Sequence, residues 1–435
     1  MAATIVFVGD VHLGRRPANL PDDLAEHDVA PAELTPAAAW RRVVDRAIAM
    51  RADALVLAGD VVESENARFE AFGPLHDGVR RLVEAGVAVY AVAGNHDVEA
   101  LPRLERAIEA FRLVGRDGTW ETVPLLSNGR TVARLLGWSF PTPHVRSSPL
   151  DQPDFPRRKI DDLPLLGVVH GDLTSPTSDH APLSRSVLAQ SPADAWFLGH
   201  VHQPGSLGGP RPIGYLGSLV GLDSTETGAH GPWVVRLAPG APLTVEQLAT
   251  TPLGWEDVEI DVEPLGDPRG IDGAFRRAVE LLHARLHARS EDVRAVGCRI
   301  VLHGHAARRA DLARTLARGD WTALRLRLDG VLYFVAGVVD RSRSALRLEE
   351  LASSADPAGL LASRLLALER ADASAPELIR RARQALEPVA GARTWSQLDP
   401  VPLSSLSDEA LRALLLDSGV RALEALLEQR AERER

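Results

Sequence analysis

The chain has 435 residues, and at ~150 residues per domain this length predicts a catalytic domain with at least one accessory domain. Hydrophobic residues make up 45% and charged residues 25% of the chain, a composition that excludes a disordered or fibrous protein. The formal net charge of −10 argues against a protein that coats nucleic acid indiscriminately.

The single cysteine and the absence of long apolar runs bear on the compartment. Cys298 cannot form an internal disulfide, and its apolar surroundings indicate a packed thiol in a reducing environment. The N-terminus lacks the features of a signal peptide, and no apolar run approaches the roughly 18 residues of a membrane span. We therefore expect a cytoplasmic protein that is not embedded in a membrane.

A short apolar run that ends at a glycine or a histidine recurs along the first 200 residues, and such runs are typical of buried strands. Helical patterns over 37–50 and 74–85 separate the first of them. This alternation predicts an α/β core with polar groups at the strand ends. The predicted strands are 4–8, 54–58, 87–93, 165–169 and 196–198.

The second half of the chain has a different character. A Gly- and Pro-rich stretch precedes residue 250, a small α+β unit follows it, and strand signals disappear after about residue 346. We expect strands at 298–302 and 331–339, a helix at 272–289, and tail helices at 357–371, 376–387 and 407–430, with Gly419 interrupting the last. The predicted domains are 1–250, 251–347 and 348–435.

Seven polar side chains at the predicted strand ends are candidate metal ligands. Carboxylate and amide oxygens together with imidazoles suit Mn²⁺, Fe²⁺ or Zn²⁺. Any one motif occurs often by chance, but five motifs in one order, each after an apolar run, predict a metal site. Two metals bridged by one carboxylate would activate a water for attack on a phosphoester. The candidates are Asp10, His12, Asp60, Asn95, His170, His200 and His202.

Taken together, these motifs resemble the signature of the calcineurin-like metallophosphoesterases over about residues 4–237. They are Gly9-Asp10-Val-His12, Gly59-Asp60, Gly94-Asn95-His96-Asp97, His170 and Gly199-His200-Val-His202. The resemblance implies a two-sheet sandwich flanked by helices, with two metal ions at the strand ends.

The resemblance also implies roles for individual residues. Asp60 would bridge the two metals, His96 would protonate the leaving oxygen, and Asp97 would orient His96 through its other ring nitrogen. One metal would be held by Asp10, His12, Asp60 and His202, and the other by Asp60, Asn95, His170 and His200.

Within that superfamily, the chain is most similar to the DNA repair exonucleases of the SbcD and YhaO type. The similarity rests on 10–14, the segment around Ala39-Trp40 and Tyr215-Leu-Gly-Ser218. The accessory region resembles their DNA-facing cap domain. Two features depart from the pattern: Glu63 stands where relatives have Asp, and the insert 15–36 is Pro-rich.

Charge is unevenly distributed along the accessory region. Residues 268–347 carry 16 basic and 8 acidic side chains inside an otherwise acidic chain. Since a nucleic-acid backbone is bound by several spaced cations, this excess favours a polyanion as the substrate. The candidate DNA-binding residues are Arg276, Arg277 and Arg285.

Our leading hypothesis is a Mn²⁺-dependent DNA nuclease that works with an SbcC-like or YhaN-like coiled-coil ATPase, and the family resemblance implies a homodimer. The alternative enzyme is a small-molecule phosphodiesterase or pyrophosphohydrolase. A third class, a binding module with a vestigial metal centre, is disfavoured by the intact ligand set.

Two histidine pairs and the tail helix need separate interpretation. We expect a structural or surface role for His303 and His305, and a solvated face for His283 and His287. In the tail, one apolar face is predicted for Leu411, Leu414 and Leu415 and a second for Val420, Leu423 and Leu427, either folding back on the protein or docking the ATPase.

Overall fold

The computed structural model describes residues 2–63, 68–287, 292–306, 309–344, 346–390 and 406–433. Within these ranges, no helix combines the length and apolar character needed to cross a membrane. The strands are β1 Ala3–Val8, β2 Ala54–Ala58, β3 Ala88–Val92, β4 Phe111–Leu113, β5 Glu121–Ser127, β6 Arg130–Trp138, β7 Leu165–His170, β8 Ala195–Gly199, β9 Ile213–Tyr215, β10 Trp233–Leu237, β11 Thr244–Gln247, β12 Leu253–Asp261, β13 Ala295–His303, β14 His305–Ala306, β15 Arg325–Leu328, β16 Val331–Asp340 and β17 Arg343–Ser344. The helices are α1 Pro36–Ala49, α2 Arg68–Glu84, α3 Leu101–Ala107, α4 Arg185–Gln190, α5 Ile271–His287, α6 Arg309–Arg318, α7 Leu348–Ala352, α8 Pro357–Arg370, α9 Ala375–Ala390 and α10 Asp408–Arg433.

Two sheets form the N-terminal part of the chain. The first has the order β11-β10-β1-β2-β3-β4, with β1 to β4 parallel and β10 antiparallel to β1. The second has the order β5-β6-β7-β8-β9, with β6 to β9 parallel. Parallel strands deliver their carboxyl ends to one edge of a sheet, which is where the predicted ligands follow.

The two sheets pack face to face. Phe7 of β1 and Phe197 of β8 stack with ring centroids 4.0 Å apart, and the surrounding core contains Ile5, Val56 and Val168 from the two sheets. Trp40 and Val43 of α1 cover the outer side of the first sheet. The predicted α/β sandwich flanked by helices is confirmed.

Helix α1 begins as its sequence dictates. Thr35 precedes Pro36, and the Thr35 hydroxyl accepts a hydrogen bond from the Ala38 N–H at 3.3 Å.

Helix α2 begins at Arg68, six residues before the predicted start at Pro74, so the proline lies inside the helix. The indole Nε1–H of Trp40 donates to the Pro74 carbonyl at 3.0 Å.

The hairpin β5–β6 was not among the predicted strands. Its turn is Asn128-Gly129, and both residues have positive φ angles of 49° and 75°. An Asn-Gly pair between apolar runs is a strong hairpin signal, and it could have revealed these strands.

By its internal contacts the chain divides into two compact units. The first comprises Met1–Val258, Arg276–Ile300 and Trp321–Val338, and the second comprises Glu259–Phe275, Val301–Asp320 and Val339–Arg435. A third sheet has the order β12-β13-β16-β15, and the short strands β14 and β17 form a separate pair. The predicted strands at 298–302 and 331–339 are therefore present within β13 and β16. The three predicted domains stay a prediction.

Trp255 and Phe334, both in the first unit, belong to the same buried cluster as Trp40 and Val6. Their rings lie 5.7 Å apart in an edge-to-face arrangement. The core of the first unit thus extends from the two-sheet sandwich into β12 and β16.

The tail consists of helices packed on one another. Ser407 caps α10 by accepting a hydrogen bond from the Ala410 N–H at 3.1 Å. Leu423 of α10 and Leu365 of α8 are both buried in a cluster that also includes Ala362. The tail helix therefore folds back on α8.

The predicted interruption at Gly419 is wrong, because α10 runs unbroken from Asp408 to Arg433. A Cβ placed on Gly419 would lie 2.5 Å from a terminal methyl of Leu365. Gly419 therefore allows a close contact between α10 and α8. On the same helix, Leu414, which was predicted on an apolar face, is 42% exposed.

Candidate metal centre

The carboxyl ends of five strands supply the candidate ligands. Residues 10 and 12 follow β1, residue 60 follows β2, and residue 95 follows β3 in the first sheet. His170 ends β7, and residues 200 and 202 follow β8 in the second sheet. The site therefore lies where the strand ends of the two sheets meet.

One group of potential ligand atoms comes from Asp10, His12 and His202, whose atoms lie within 4.8 Å of one another. Nε2 of His12 is 3.0 Å from Nε2 of His202. Two ring nitrogens that face each other at this distance suit a shared cation, since each can offer a lone pair.

A second group comes from Asp10, Asp60 and His170. Oδ2 of Asp60 lies 3.5 Å from Nε2 of His170 and 3.9 Å from Nε2 of His12. Asp60 therefore stands between the two groups, in the position that a bridging carboxylate needs. The sequence assigned Asp10 to one metal, whereas the structure brings it to both groups.

Two further predicted ligands adjoin the second group. Oδ1 of Asn95 is 3.1 Å from Nε2 of His170. The ring of His200 lies 5.3 Å from the ring of His170, and the His200 N–H donates to Asp10 at 2.9 Å. The assignment of each ligand to one of two metals stays a prediction.

The backbone at these ligands is strained. Non-glycine residues rarely adopt positive φ angles, yet Asp10, His12, Asp60 and His200 have φ angles of 32°, 49°, 46° and 107°. The His12 N–H donates to the Asp60 carbonyl at 2.9 Å, and this bond ties two of these turns together. The surrounding hydrogen bonds hold the side chains in one arrangement.

The glycines in the motifs allow the ligands to approach the backbone. A Cβ on Gly94 would lie 2.2 Å from Oδ1 of Asp60. A Cβ on Gly59, whose φ is +89°, would lie 2.5 Å from Nδ1 of His170. A larger residue at either position would displace a candidate ligand.

Glu63 contacts two of the functional histidines. Its Oε2 lies 3.0 Å from Nδ1 of His12, and its Oε1 lies 3.0 Å from Nδ1 of His96. A carboxylate on one imidazole nitrogen fixes the ring and directs the other nitrogen to its task. The sequence marked Glu63 only as a departure from the family pattern.

Asp97 has a different environment from the predicted one. Its carboxylate accepts hydrogen bonds from the N–H groups of Val61, Val62 and Gly94 at 2.9 to 3.1 Å. These bonds join the loops after β2 and β3. Asp97 was predicted to orient His96 through the ring nitrogen that does not protonate the leaving oxygen, whereas Nδ1 of His96 lies 3.0 Å from Oε1 of Glu63.

Glu226 supports His202 on the other side of the site. Its Oε1 lies 2.7 Å from Nδ1 of His202, and its Oε2 accepts hydrogen bonds from the Ser218 hydroxyl at 2.7 Å and the Leu222 N–H at 3.0 Å. His230 packs beside Ser218, with Nδ1 3.1 Å from the hydroxyl oxygen. Sequence reasoning missed Glu226, which lies in an irregular stretch without a motif.

Burial and neighbouring charges set the protonation of the ligands. Burial and then Asp60 raise the pKa of Asp10 well above its usual range. Burial lowers the pKa of His170 to about 4 and also lowers the pKa of His12. These two histidines are neutral near pH 7, the form that binds metals.

His96 has the opposite character. The hydrogen bond that Nδ1–H of His96 donates to the Glu63 carboxylate is the main cause that raises the pKa of His96 to about 9. The side chain is 34% exposed, and its Nε2 lies 4.0 Å from Oδ2 of Asp60. A protonated imidazole that reaches solvent beside the cluster can donate a proton to a bound substrate.

The residues fit two divalent cations. Two adjacent buried carboxylates repel each other unless a cation lies between them, and the burial of Asp10 leaves water little part in offsetting that charge. Neutral imidazoles and an amide oxygen complete a mixed nitrogen and oxygen donor set. Such a set suits Mn²⁺, Fe²⁺ or Zn²⁺ better than Ca²⁺.

The predicted DNA-binding arginines lie on α5, where Arg276, Arg277 and Arg285 are exposed. Arg277 and Arg285 form no ion pair with any residue that the structure describes.

In the described part of the chain, no group of three or more potential metal ligands includes His283, His303 or His305. Nδ1 of His283 lies 2.9 Å from the Tyr333 hydroxyl, and its Nε2 lies 3.2 Å from Asp329. The predicted solvated position for His283 is wrong, because only 13% of its side chain is exposed. The side chain of His287 lies outside the described residues. His305 is exposed, with Nδ1 3.7 Å from Glu263.

Residues 3–204 match the calcineurin-like phosphoesterase family. This part of the chain is therefore a calcineurin-like phosphoesterase domain. The predicted resemblance is confirmed.

Individual proteins similar to the chain can also be named. The uncharacterized metallophosphoesterase YhaO of Bacillus subtilis is 27% identical over 266 residues, which cover 60% of this chain and 63% of YhaO. The DNA double-strand break repair protein Mre11 of Aeropyrum pernix is 28% identical over 305 residues, which cover 66% of this chain and 70% of Mre11. The match therefore spans less than two thirds of YhaO.

Among solved structures, a dimetal phosphatase from Danio rerio aligns with 56% of this chain and 98% of its own length. The sequence identity is 13% and the TM-score is 0.35.

Proposed function

We propose that the protein is a DNA nuclease that hydrolyses phosphodiester bonds with two divalent metal ions. The observation that carries this proposal is the buried strand-end cluster, in which Asp60 lies between His12 on one side and His170 on the other. The similarity to the DNA double-strand break repair protein Mre11 of Aeropyrum pernix supports DNA as the substrate.

The residues divide the work by position. Asp10, Asp60, Asn95 and four histidines would hold the two ions, which would supply Lewis-acid activation of the phosphate and of a water. His96 donates a proton to the leaving oxygen through Nε2, while Glu63 holds its Nδ1. Glu63 and Glu226 keep the rings of His12 and His202 in place.

We propose Mn²⁺ as the native metal, because the donor set mixes carboxylate and imidazole and the family resemblance points the same way. We assign residues 1–250 to catalysis, 251–347 to a cap that faces DNA and 348–435 to a tail. The exposed residues Arg276, Arg277 and Arg285 support the role of the cap.

We also propose that the protein acts in the cytoplasm as a homodimer with an SbcC-like or YhaN-like ATPase. The buried thiol of Cys298, whose pKa is raised by burial, fits a reducing compartment. The exposed side chain of Leu414 on α10 leaves a surface on the tail for the ATPase.

A small-molecule phosphodiesterase or pyrophosphohydrolase is the second candidate. It is favoured by the many cap arginines that are already paired with carboxylates, including Arg299 with Asp257 and Arg325 with Asp23. Paired arginines contribute less to a phosphate-binding surface than their number indicates.

One assay separates the two candidates. The full chain is incubated with Mn²⁺ or Mg²⁺ and either linear double-stranded DNA, single-stranded DNA or a chromogenic phosphodiester, with Asp60→Asn as the inactive control. Metal-dependent cleavage of DNA by the wild type alone supports the nuclease. Turnover of the chromogenic ester without any cleavage of DNA supports the small-molecule enzyme.

A further inference from the structure

A file of four histidine rings leads from the candidate metal centre to the surface. Ring centroids are separated by 5.3 Å between His170 and His200, 5.2 Å between His200 and His180, and 5.7 Å between His180 and His144. His170 is buried, His200 and His180 are half-buried, and His144 is exposed. His180 and His144 have no part in the roles assigned above.

Backbone pairing holds the two outer histidines in place. Residues 139–148 follow β6 and residues 171–184 follow β7, and an isolated bridge joins the two loops at Val145 and His180. The Val145 N–H donates to the Asp179 carbonyl and the Ala181 N–H donates to the Val145 carbonyl, both at 2.7 Å. Neither loop is free to move alone.

The same loop is fixed at its base beside the ligands. The Asp172 carboxylate accepts a hydrogen bond from the Thr174 N–H at 2.6 Å, and Ala181 is held at a φ of +50°. A non-glycine residue at such an angle indicates a local conformation that the surroundings impose. His180 is therefore presented in one position next to His200.

The chemistry of the two outer rings suits an anion. A neutral imidazole carries one N–H donor, so two rings offer two donors even without protonation. The nearby guanidinium of Arg146 is already engaged, because its Nε and Nη2 lie 2.9 and 3.2 Å from the Asp179 carboxylate. The two imidazoles are therefore candidate donors to a ligand at this end of the row of rings.

We propose that His144 and His180 form a second phosphate-binding subsite, which holds the phosphate next to the one being hydrolysed. The inference rests on the proposed function and narrows its substrate class to chains with successive phosphodiesters. In the described residues, neither histidine belongs to the groups of potential metal ligands. The His180 ring lies one ring farther from the metal centre than the candidate ligand His200. Its N–H would therefore contact the phosphate next to the one being hydrolysed, and not the reacting phosphate itself.

The test compares two nucleotides on the full chain with Mn²⁺. The dinucleotide d(TpT) has one phosphodiester, whereas the trinucleotide d(TpTpT) has two. We expect the wild type to show a KM for the trinucleotide about tenfold lower than for the dinucleotide, the effect of one or two hydrogen bonds to a charged group. The double variant His144→Ala/His180→Ala should lose this preference and keep its dinucleotide turnover within about twofold.

Two controls accompany the double variant. His76→Ala removes a histidine of α2 that stacks on Phe72, and it should leave the preference intact. His180→Asn keeps an N–H donor in its side-chain amide. This variant should therefore retain part of the preference for the trinucleotide that the double variant loses. Bound metal, measured by mass spectrometry, should be equal in all variants.

Two results would contradict the proposed phosphate-binding subsite. An unchanged trinucleotide preference in the double variant overturns the subsite, and so does a loss of metal that lowers the turnover of both nucleotides equally. If the wild type hydrolyses neither nucleotide, cleavage of linear DNA decides the proposed nuclease function separately. Calorimetric binding of the same two nucleotides then decides the subsite, which is upheld only if the double variant loses the trinucleotide preference.

Discussion

Oε1 of Glu63 lies 3.0 Å from Nδ1 of His96. The same carboxylate reaches His12 through its other oxygen, so one side chain links a candidate ligand to the candidate proton donor. Because the Glu63 carboxylate stabilises the protonated form of His96, it raises the pKa of this histidine.

Glu63→Gln should lower kcat by about 10- to 100-fold, the range typical of a residue that orients metal ligands. An acid works only while protonated, so its contribution is lost as the pH rises through its pKa. The pKa of about 9 keeps wild-type His96 protonated at neutral pH. In the variant this pKa falls towards its ordinary value, and the alkaline limb of the pH–rate profile should move to lower pH.

The matched control is Glu70→Gln, which removes an exposed carboxylate from α2. Its profile should coincide with that of the wild type. An unshifted alkaline limb in Glu63→Gln would show that His96 is not the group that titrates.

Asp60→Asn should remove the charge shared by the two ligand groups while it keeps the side-chain shape. We expect both bound metal and turnover to fall. Turnover should fall by more than about 100-fold, which is the largest loss typical of a residue that only orients a metal ligand. Metal content by mass spectrometry checks the first effect and hydrolysis of a chromogenic phosphodiester the second. Two metals retained with normal turnover would contradict the bridging role.

His96→Ser should separate catalysis from metal binding. The ring of His96 is half-buried at the edge of the cluster, and we expect the variant to retain its metals while it loses the ~10²–10⁴-fold typical of a general acid. A substrate with a good leaving group, which needs less protonation, should lose less. Metal loss equal to that in Asp60→Asn would make His96 a ligand instead.

Replacing Arg276, Arg277 and Arg285 together by Gln should weaken DNA binding and flatten its salt dependence. Each lost phosphate contact reduces the slope of log K against log salt by about 0.7 to 0.9. Arg80→Gln serves as a control, because Arg80 is exposed but paired with Asp77 and Glu84. An unchanged slope in the triple variant would favour the small-molecule enzyme.

Leu423→Ala should destabilise the packing of the tail by about 2–5 kcal/mol, since the side chain is fully buried against α8. Leu414→Ala, at an exposed position of the same helix, should change stability by less than about 0.5 kcal/mol. Thermal unfolding followed by circular dichroism compares the two. Equal effects would show that α10 does not pack as described.

The strand ends could be predicted because their signals are local. An apolar run followed by a polar residue, directly or after one glycine, indicates both the strand and the edge at which it ends. Asp10 and Asp60 follow a glycine, and His170 follows its apolar run directly. The partners of these residues could not be found so, because Glu226 lies 24 positions from His202 and in no regular element. Their contact depends on how an irregular loop returns to the site.

Gly419 shows the limit of a different rule. Glycine lowers helix propensity, which predicted a break, but the contact with Leu365 requires a residue without a side chain. Tertiary packing outweighed the local preference there. Asn128-Gly129 shows the reverse case. The local turn signal there agrees with the hairpin that the structure contains, so the sequence alone could have predicted β5 and β6.

The space beside Gly94 has a consequence for recognising distant relatives. Because a methyl group there would lie 2.2 Å from Oδ1 of Asp60, the glycine is as necessary to the bridging position as the aspartate itself. A divergent chain that keeps every metal ligand but carries alanine at this position would need a displaced carboxylate. Searches for active members of the superfamily should therefore score the residue before the Asn-His-Asp motif, and not the ligands alone.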